Sequence, residues 1–274
     1  MIQRIITGAI LAALALTLIM VPSLQAGFGL FVSILAVLAG LEFLGMARLK
    51  EIKLHEGATL FAIALPNLGM TFLSPQVENI NALFMLGLMV FVAAQLYGGH
   101  HTLTGFATGA FAILYTGWMP AHIMLIHRGD GGVGHVLIIL LSVVCADSGA
   151  YFAGKAFGQH KMAPRISPKK TWEGLIGGLT ASVIIMFAVH MLRHQMAWDI
   201  FPNWNLLQYA LTGLILGVVS VLGDLVESLF KRDAGVKDSG TLLPGHGGIL
   251  DRCDGLLLAV PVYVYLGSSL DSLF

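Results

Sequence analysis

Lys231, Arg232, Lys237, Asp238, His246, Asp251, Arg252 and Asp254 crowd into one stretch, SLFKRDAGVKDSGTLLPGHGGILDRCD over 228–254, between two apolar runs. Cations, carboxylates and glycines in one block suit a site for a phosphate group and a metal ion. The plain alternative is a charged connecting loop, because membrane-protein loops are often basic. The order of residues favours the site. Gly245, Gly247 and Gly248 bracket His246 just after Pro244, so the backbone can turn tightly and aim several N–H groups at an anion. Asp251 and Asp254 stand three apart. If a helix starts near Leu250, both carboxylates share one face, as a common hard cation requires.

The apolar run before this block carries its own polar residues. In SVLGDLVESLFKR, Ser220, Asp224, Ser228 and Lys231 recur at spacings of four, four and three, with Glu227 beside them. On a helix that is one face, and two carboxylates facing lipid would be heavily penalised, so the face is expected to line a wet cleft. Asp224, Asp251 and Asp254 form the expected metal cluster, with Glu227 a further candidate. Oxygen ligands without Cys/His zinc spacing favour Mg2+ or a similar hard divalent ion, with room for a second cation.

Two other intramembrane acids stand out. Asp147, in CADSGAYFAGKAFG, is flanked by small and polar residues, and a site role and a structural hydrogen bond are both open to it. Ala150, Gly154 and Gly158 make a small-residue stripe, which points to close helix packing. Glu42 lies near the end of an apolar run and is expected to snorkel to the interface. The segment ISPKKTWEG, 166–174, adds Lys169 and Lys170 before Thr171. Thr171 can cap a helix beginning at Trp172, and helix-start donors with two lysines make an anion site. Anchoring to anionic lipid headgroups is the alternative use of such a pair.

The 228–254 stretch resembles the signature of the phosphatidate cytidylyltransferase (CDP-diacylglycerol synthase) family. Ser228, Phe230, Lys231, Arg232, Lys237, Asp238, Gly240, Leu243, Pro244, His246, Gly247, Gly248, Ile249, Asp251, Arg252 and Asp254 match it, and Cys253 departs from it where an aliphatic residue is usual. The Ser-Pro-Lys-Lys-Thr segment from Ser167 is similar to a second segment of these synthases. The resemblance implies transfer of a cytidylyl group from CTP to phosphatidic acid. It assigns Asp224, Asp251 and Asp254 to the metal, and Ser167, Lys169, Lys170, Thr171, Gly247 and Gly248 to the nucleotide phosphates. Lys237 and Arg252 would stabilise developing charge, Asp238 and His246 would orient those groups, and Lys231 and Arg232 would take the lipid phosphate. A secondary transporter would place its polar site near the bilayer midplane. A CDP-alcohol phosphatidyltransferase would carry an Asp-Gly-x-x-Ala-Arg segment, which the chain lacks.

The elements that must position these residues are helices in lipid. Of the 274 residues 57% are hydrophobic and 11% charged, with a mean hydropathy of +0.83, which excludes an ordinary soluble domain. Nine stretches approach the roughly 20 apolar residues a spanning helix needs: about 5–25, 28–47, 58–74, 80–98, 103–126, 133–156, 172–192, 206–229 and 253–270. The third contains Pro66 and Gly69, which are expected to break it. The chain therefore reads as all-α, a polytopic integral membrane protein with about nine transmembrane helices in a single domain over 1–274. Residues to about 130 serve as scaffold, and those from about 133 carry the site. The first apolar run imitates a signal peptide, but Leu24 fits a cleavage site after Ala26 poorly and the run is long, so it is expected to be retained. His55, His100, His101, His127, His135 and His194 lie near span ends, where a solvated role is expected. Membrane lipids are the expected surroundings, a homodimer is open to the chain, and no nucleic acid is expected.

Alternating nine spans puts thirteen of the 15 Lys and Arg on one side, leaving Arg128 and Arg193 on the other. The positive-inside bias places the N-terminus, the 157–171 loop and the charged stretch in the cytoplasm of a cell whose inner membrane holds the chain. Cysteine labelling of intact spheroplasts checks this: Ala163→Cys should resist a reagent confined to the outer face. Reaction there overturns the topology.

Overall fold

A computed structural model describes residues 2–99, 101–196, 199–242 and 247–270. Two residues singled out above, His100 and His246, lie outside the described residues, as do Leu243, Pro244 and Gly245. The chain is helical almost throughout because a backbone in hydrocarbon must satisfy its own polar groups. In order the helices are α1 Ile2–Met20, α2 Gln25–Leu49, α3 Glu56–Phe72, α4 Val77–Tyr97, α5 Leu103–Ala112, α6 Met119–Arg128, α7 Gly132–Phe157, α8 Trp172–Met196, α9 Leu206–Asp233 and α10 Leu250–Leu270. A π-helical turn, Ile113–Trp118, joins α5 to α6. Most of each of the nine apolar stretches falls on helix, although α1 ends at Met20 and α3 at Phe72, short of the expected bounds. Six segments, Pro22–Leu49, Val77–Tyr97, Leu103–Arg128, Gly132–Phe157, Trp172–Met196 and Leu206–Asp233, are long and apolar enough to cross a bilayer. Leu86, Met89, Ile176, Ile184, Leu214 and Leu222 stand exposed on these segments, an outward apolar surface that lipid, not water, would cover. The chain is an all-α membrane protein with one short addition that the residue pattern did not predict. Lys161–Ala163 (β1) and Ser167–Thr171 (β2) pair antiparallel between α7 and α8.

The chain divides into two compact units, Met1–Gly129 with Phe230–Cys253 and Asp130–Leu229 with Asp254–Phe274. In the first, Ile63, Met70, Ile113, Tyr115 and Met124 are wholly buried. Pro66 does not break α3, which runs through it to Phe72. The neighbouring Asn67 donates from Nδ2 to the carbonyls of Ile63 and Gly117, both at 2.9 Å, so a side chain ties this stretch of α3 to the π turn. Arg128 donates to the carbonyls of Met70 and Leu73, which the end of α3 leaves without helical partners. His127 also departs from its expected solvated role. It is buried, with Nε2 3.1 Å from the carbonyl of Ile19 and its ring 4.4 Å from that of Phe28. The physical reason is the end of α1, whose last carbonyls need donors from elsewhere.

In the second unit Ala150 and Gly154 of the expected stripe lie against Gly174 and Gly178 of α8, and other small residues of α7 approach that helix as closely. A Cβ on Gly177 would stand 2.2 Å from that of Ala153, one on Gly149 2.5 Å from that of Ala181, and one on Gly178 2.6 Å from the carbonyl oxygen of Ala146. Backbones this close gain dispersion contacts that longer side chains would prevent. The approach of α9 to α10 in this unit is equally tight. A Cβ on Gly223 would lie 2.4 Å from the Asp254 carbonyl oxygen, and one on Gly255 2.8 Å from Ser220 Oγ. Gly223→Ala should therefore push the helices apart. Overpacking of this kind costs about 1–3 kcal/mol. The expected result is a lower melting temperature in detergent together with lost activity, whereas an unchanged melting temperature would show that the crossing can relax.

Candidate active site

Asp224, Glu227 and Asp254 meet where Gly223 lets α9 and α10 approach, in the second unit. Each offers a carboxylate oxygen, and the three oxygens lie within 4.8 Å of one another. The spacing of α9 dictates half of this: residues three apart lie on adjacent turns of one face. That face also carries Ser220 and Ser228, both buried, while Leu214, Val218, Leu222 and Leu229 are exposed on the other. The helix is thus polar inward and apolar outward, the arrangement that carboxylates within a span demand.

The surroundings of the cluster mix counter-charge and hydrogen bonding. Lys170 Nζ lies 2.9 Å from Asp224 Oδ2 and 3.1 Å from the carbonyl of Val221. Ser228 Oγ donates to Asp224 Oδ1 at 3.1 Å. Asp147 of α7 accepts from Ser220 Oγ at 3.1 Å, one turn before Asp224. The β1–β2 hairpin delivers Lys170, and Thr171 ends it as expected: its Oγ1 accepts from Gly174 N at 3.1 Å at the start of α8. Ser167 pairs with Ala163 within the hairpin, and Lys169 is exposed. Glu227 is fully buried while Asp224 and Asp254 are partly open. An all-oxygen set on two helices, open on one side, fits a hard divalent cation that keeps part of its water shell.

A second arrangement forms in the first unit around Asp251. Lys231 Nζ lies 2.6 Å from its Oδ1, with both side chains nearly buried. Oδ2 accepts from Ser239 N at 2.9 Å, Ser239 Oγ at 3.0 Å and Gly248 N at 2.8 Å. Asp251 is therefore engaged with a cation and the loop backbone, and Glu227 occupies the place beside Asp224 and Asp254. Removing either partner of such a buried pair leaves an uncompensated charge. Gly247 adopts φ +83°, a left-handed conformation that glycine takes without strain, and its neighbour's N–H is thereby aimed at Asp251. Lys237, Asp238 and Arg252 are exposed, as is Arg232, which donates to the carbonyl of Val236 at 3.1 Å.

Glu42 differs from expectation. It does not snorkel but is buried, 6% exposed, and accepts three hydrogen bonds from the charged stretch: Ser239 Oγ, Ile249 N and Leu250 N, each at 2.9 Å. A lone carboxylate in an apolar run was the signal for it. Its partner Ser239 lay inside the charged stretch without a distinguishing feature. Close to this loop the same unit holds an apolar cavity of about 430 Å³, lined by Phe43, Phe111 and Phe230 with Lys50, Asp233 and Thr104.

A family model described as "Cytidylyltransferase family" matches residues 2–270. A phosphatidate cytidylyltransferase of Pseudomonas aeruginosa is 37% identical over 276 residues, covering 96% of each chain. One from Synechocystis sp. is 33% identical over 292 residues, 96% of this chain and 95% of the relative. A protein of the same name from Haemophilus influenzae is 45% identical over a shorter 140 residues, 51% of this chain and 47% of its own. With the match running through all ten helices, including the α9 and α10 carboxylates, the chain belongs to the cytidylyltransferase family.

Proposed function

We propose that this protein is a phosphatidate cytidylyltransferase, converting CTP and phosphatidic acid to CDP-diacylglycerol and pyrophosphate in phospholipid biosynthesis. The observation that carries the reading is the Asp224, Glu227 and Asp254 cluster beside Lys170, on a chain whose relatives of that name match it nearly end to end. An ionised phosphate oxygen of phosphatidic acid attacks the α-phosphorus of CTP. The new P–O bond forms as the bond from the α-phosphorus to the bridging oxygen breaks, and pyrophosphate leaves. Such a nucleophile needs no strong general base, so positioning and charge neutralisation supply the rate.

The residues divide this work. Asp224, Glu227 and Asp254 hold the cation, Mg2+ in our reading. Once bound, that ion neutralises triphosphate charge. Lys170 fixes the Asp224 carboxylate and, with Ser167, Lys169 and the Thr171-capped start of α8, faces the nucleotide phosphates. Lys237, Arg252 and the Gly247 amide take the charge that develops on the leaving group, while the Gly248 N–H, given to Asp251, holds the loop, and Arg232 takes the lipid phosphate. Lys231 and Asp251 hold each other and the loop. Asp238 and His246 orient these groups, and Asp147 steadies Ser220 beside the cluster. The apolar cavity beside Phe230 suits a stretch of acyl chain. We also read nine spans with the site facing the cytoplasm of an inner membrane, where CTP is supplied.

Purified protein in detergent, given phosphatidic acid, Mg2+ and radiolabelled CTP, should move label into a chloroform-soluble product, and EDTA should stop it. A transporter would leave all label in water, and a phosphatidyltransferase would label lipid only from CDP-diacylglycerol and an alcohol. Asp224→Asn keeps the side-chain size and removes the charge, and should lower turnover ~10²–10³-fold, the usual cost of losing one well-placed electrostatic stabiliser. Wild-type turnover in folded Asp224→Asn would move the cation elsewhere.

A further inference from the structure

We infer that Glu42, far from the charged stretch in sequence, is a positioning residue of the active-site loop. It serves as a buried clamp that holds Ser239, Ile249 and Leu250, and with them the start of α10, in working geometry. This rests on the proposed activity. Glu42 belongs to α2, within one of the apolar spans, where an ionised side chain is costly unless it finds partners. It finds three, and all come from one short segment: Oε1 accepts from Ile249 N, and Oε2 from Leu250 N and Ser239 Oγ. Leu250 opens α10 and Ile249 directly precedes it, so their N–H groups are among those that no helical carbonyl can satisfy. A carboxylate at the helix start is also favoured by the helix dipole.

The loop is built to receive it. A Cβ on Gly240 would lie 2.6 Å from Glu42 Oε1, and one on Gly248 2.3 Å from Oε2, so both positions must lack a side chain for the backbone to wrap the carboxylate. Ser239 bridges Glu42 to Asp251, since its Oγ lies 2.9 Å from Glu42 Oε2 and 3.0 Å from Asp251 Oδ2. A hydroxyl carries one proton, so the two carboxylates share a single O–H; Glu42 relies on backbone donors for the rest, and Asp251 on backbone donors and Lys231. The segment they grip leads directly into Asp251 and Arg252 in the first turn of α10, with Asp254 on the turn after. Glu42 touches none of the reacting groups. Its effect on catalysis runs through the residues it holds.

Glu42→Gln is the informative change. Two of the three donors are backbone N–H groups that cannot turn away, and whichever way the amide is oriented, one of them meets an NH2 instead of an oxygen. Limited trypsin digestion in detergent reads the loop through cleavage at the exposed Lys237, two residues before Ser239, with the exposed Arg165 of the hairpin as internal reference. We expect loop cleavage about tenfold faster than in wild type, unchanged cleavage at Arg165, and kcat lower by about tenfold or more with a much smaller change in KM for CTP. Ser239→Ala removes the shared hydroxyl but leaves the Glu42 charge, and should give a smaller change in the same two readouts. Wild-type loop cleavage or wild-type kcat in folded Glu42→Gln overturns the inference. If that variant does not fold, wild-type values of both in Ser239→Ala overturn it. If wild type makes no lipid product at all, the activity proposed above fails instead, and the cleavage contrast still decides whether Glu42 holds the loop.

Discussion

A carboxylate in hydrocarbon must find a cation, a metal or several donors, and that requirement organises this chain. Born costs in a low-dielectric interior are large enough that unpaired ionised groups are not retained there. Glu42, Asp251 and Asp224 each turn toward other polar groups of the chain, and each does so in a different way. Glu42 takes backbone and hydroxyl donors. Asp251 takes a lysine and two amides. Asp224 shares a lysine with the backbone of its own helix. The helices carrying them are correspondingly inside out, with leucines such as Leu222 and Leu229 exposed and serines such as Ser220 and Ser228 buried.

Glycine makes these meetings geometrically attainable. Where α9 passes α10, the absence of side chains at Gly223 and Gly255 lets backbones come close enough for carboxylates on two helices to converge within 4.8 Å. Where α7 passes α8, the same device brings the helices together through Gly149, Gly177 and Gly178, and the hairpin between them carries Lys170 to Asp224. In the loop, Gly240 and Gly248 serve carboxylates rather than helices. Small residues thus act at three levels, in span packing, in the convergence of carboxylates and in the wrapping of loop backbone around Glu42, all for the same steric reason.

Preorganisation is what such a framework contributes to phosphoryl-type chemistry. The reaction needs charges held in place before the substrates arrive, because reorientation during the step would cost what the electrostatics supply. Buried groups with several fixed partners, such as Asp251 and Glu42, suit the holding function. Partly open carboxylates, such as Asp224 and Asp254, and exposed cations, such as Arg252 and Lys237, are the groups we propose to meet substrate.

Much of this was legible in the residues themselves. Apolar runs must become helices in lipid, so all nine stretches could be placed from composition. The spacing of Ser220, Asp224, Glu227 and Ser228 put one polar face on α9, because helical periodicity is a local property. Thr171 announced the start of α8 for the same reason. Partner choice across the fold was not legible. Asp224 converging with Glu227 and Asp254 while Asp251 turns to Lys231, Glu42 reaching Ile249 from two hundred residues away, and His127 serving a carbonyl of α1 all depend on which helices pack together. Helix packing depends on the summed fit of many small contacts, and no local pattern encodes it. Spacing along the chain fixes which face a side chain occupies, whereas only tertiary structure decides what that face meets.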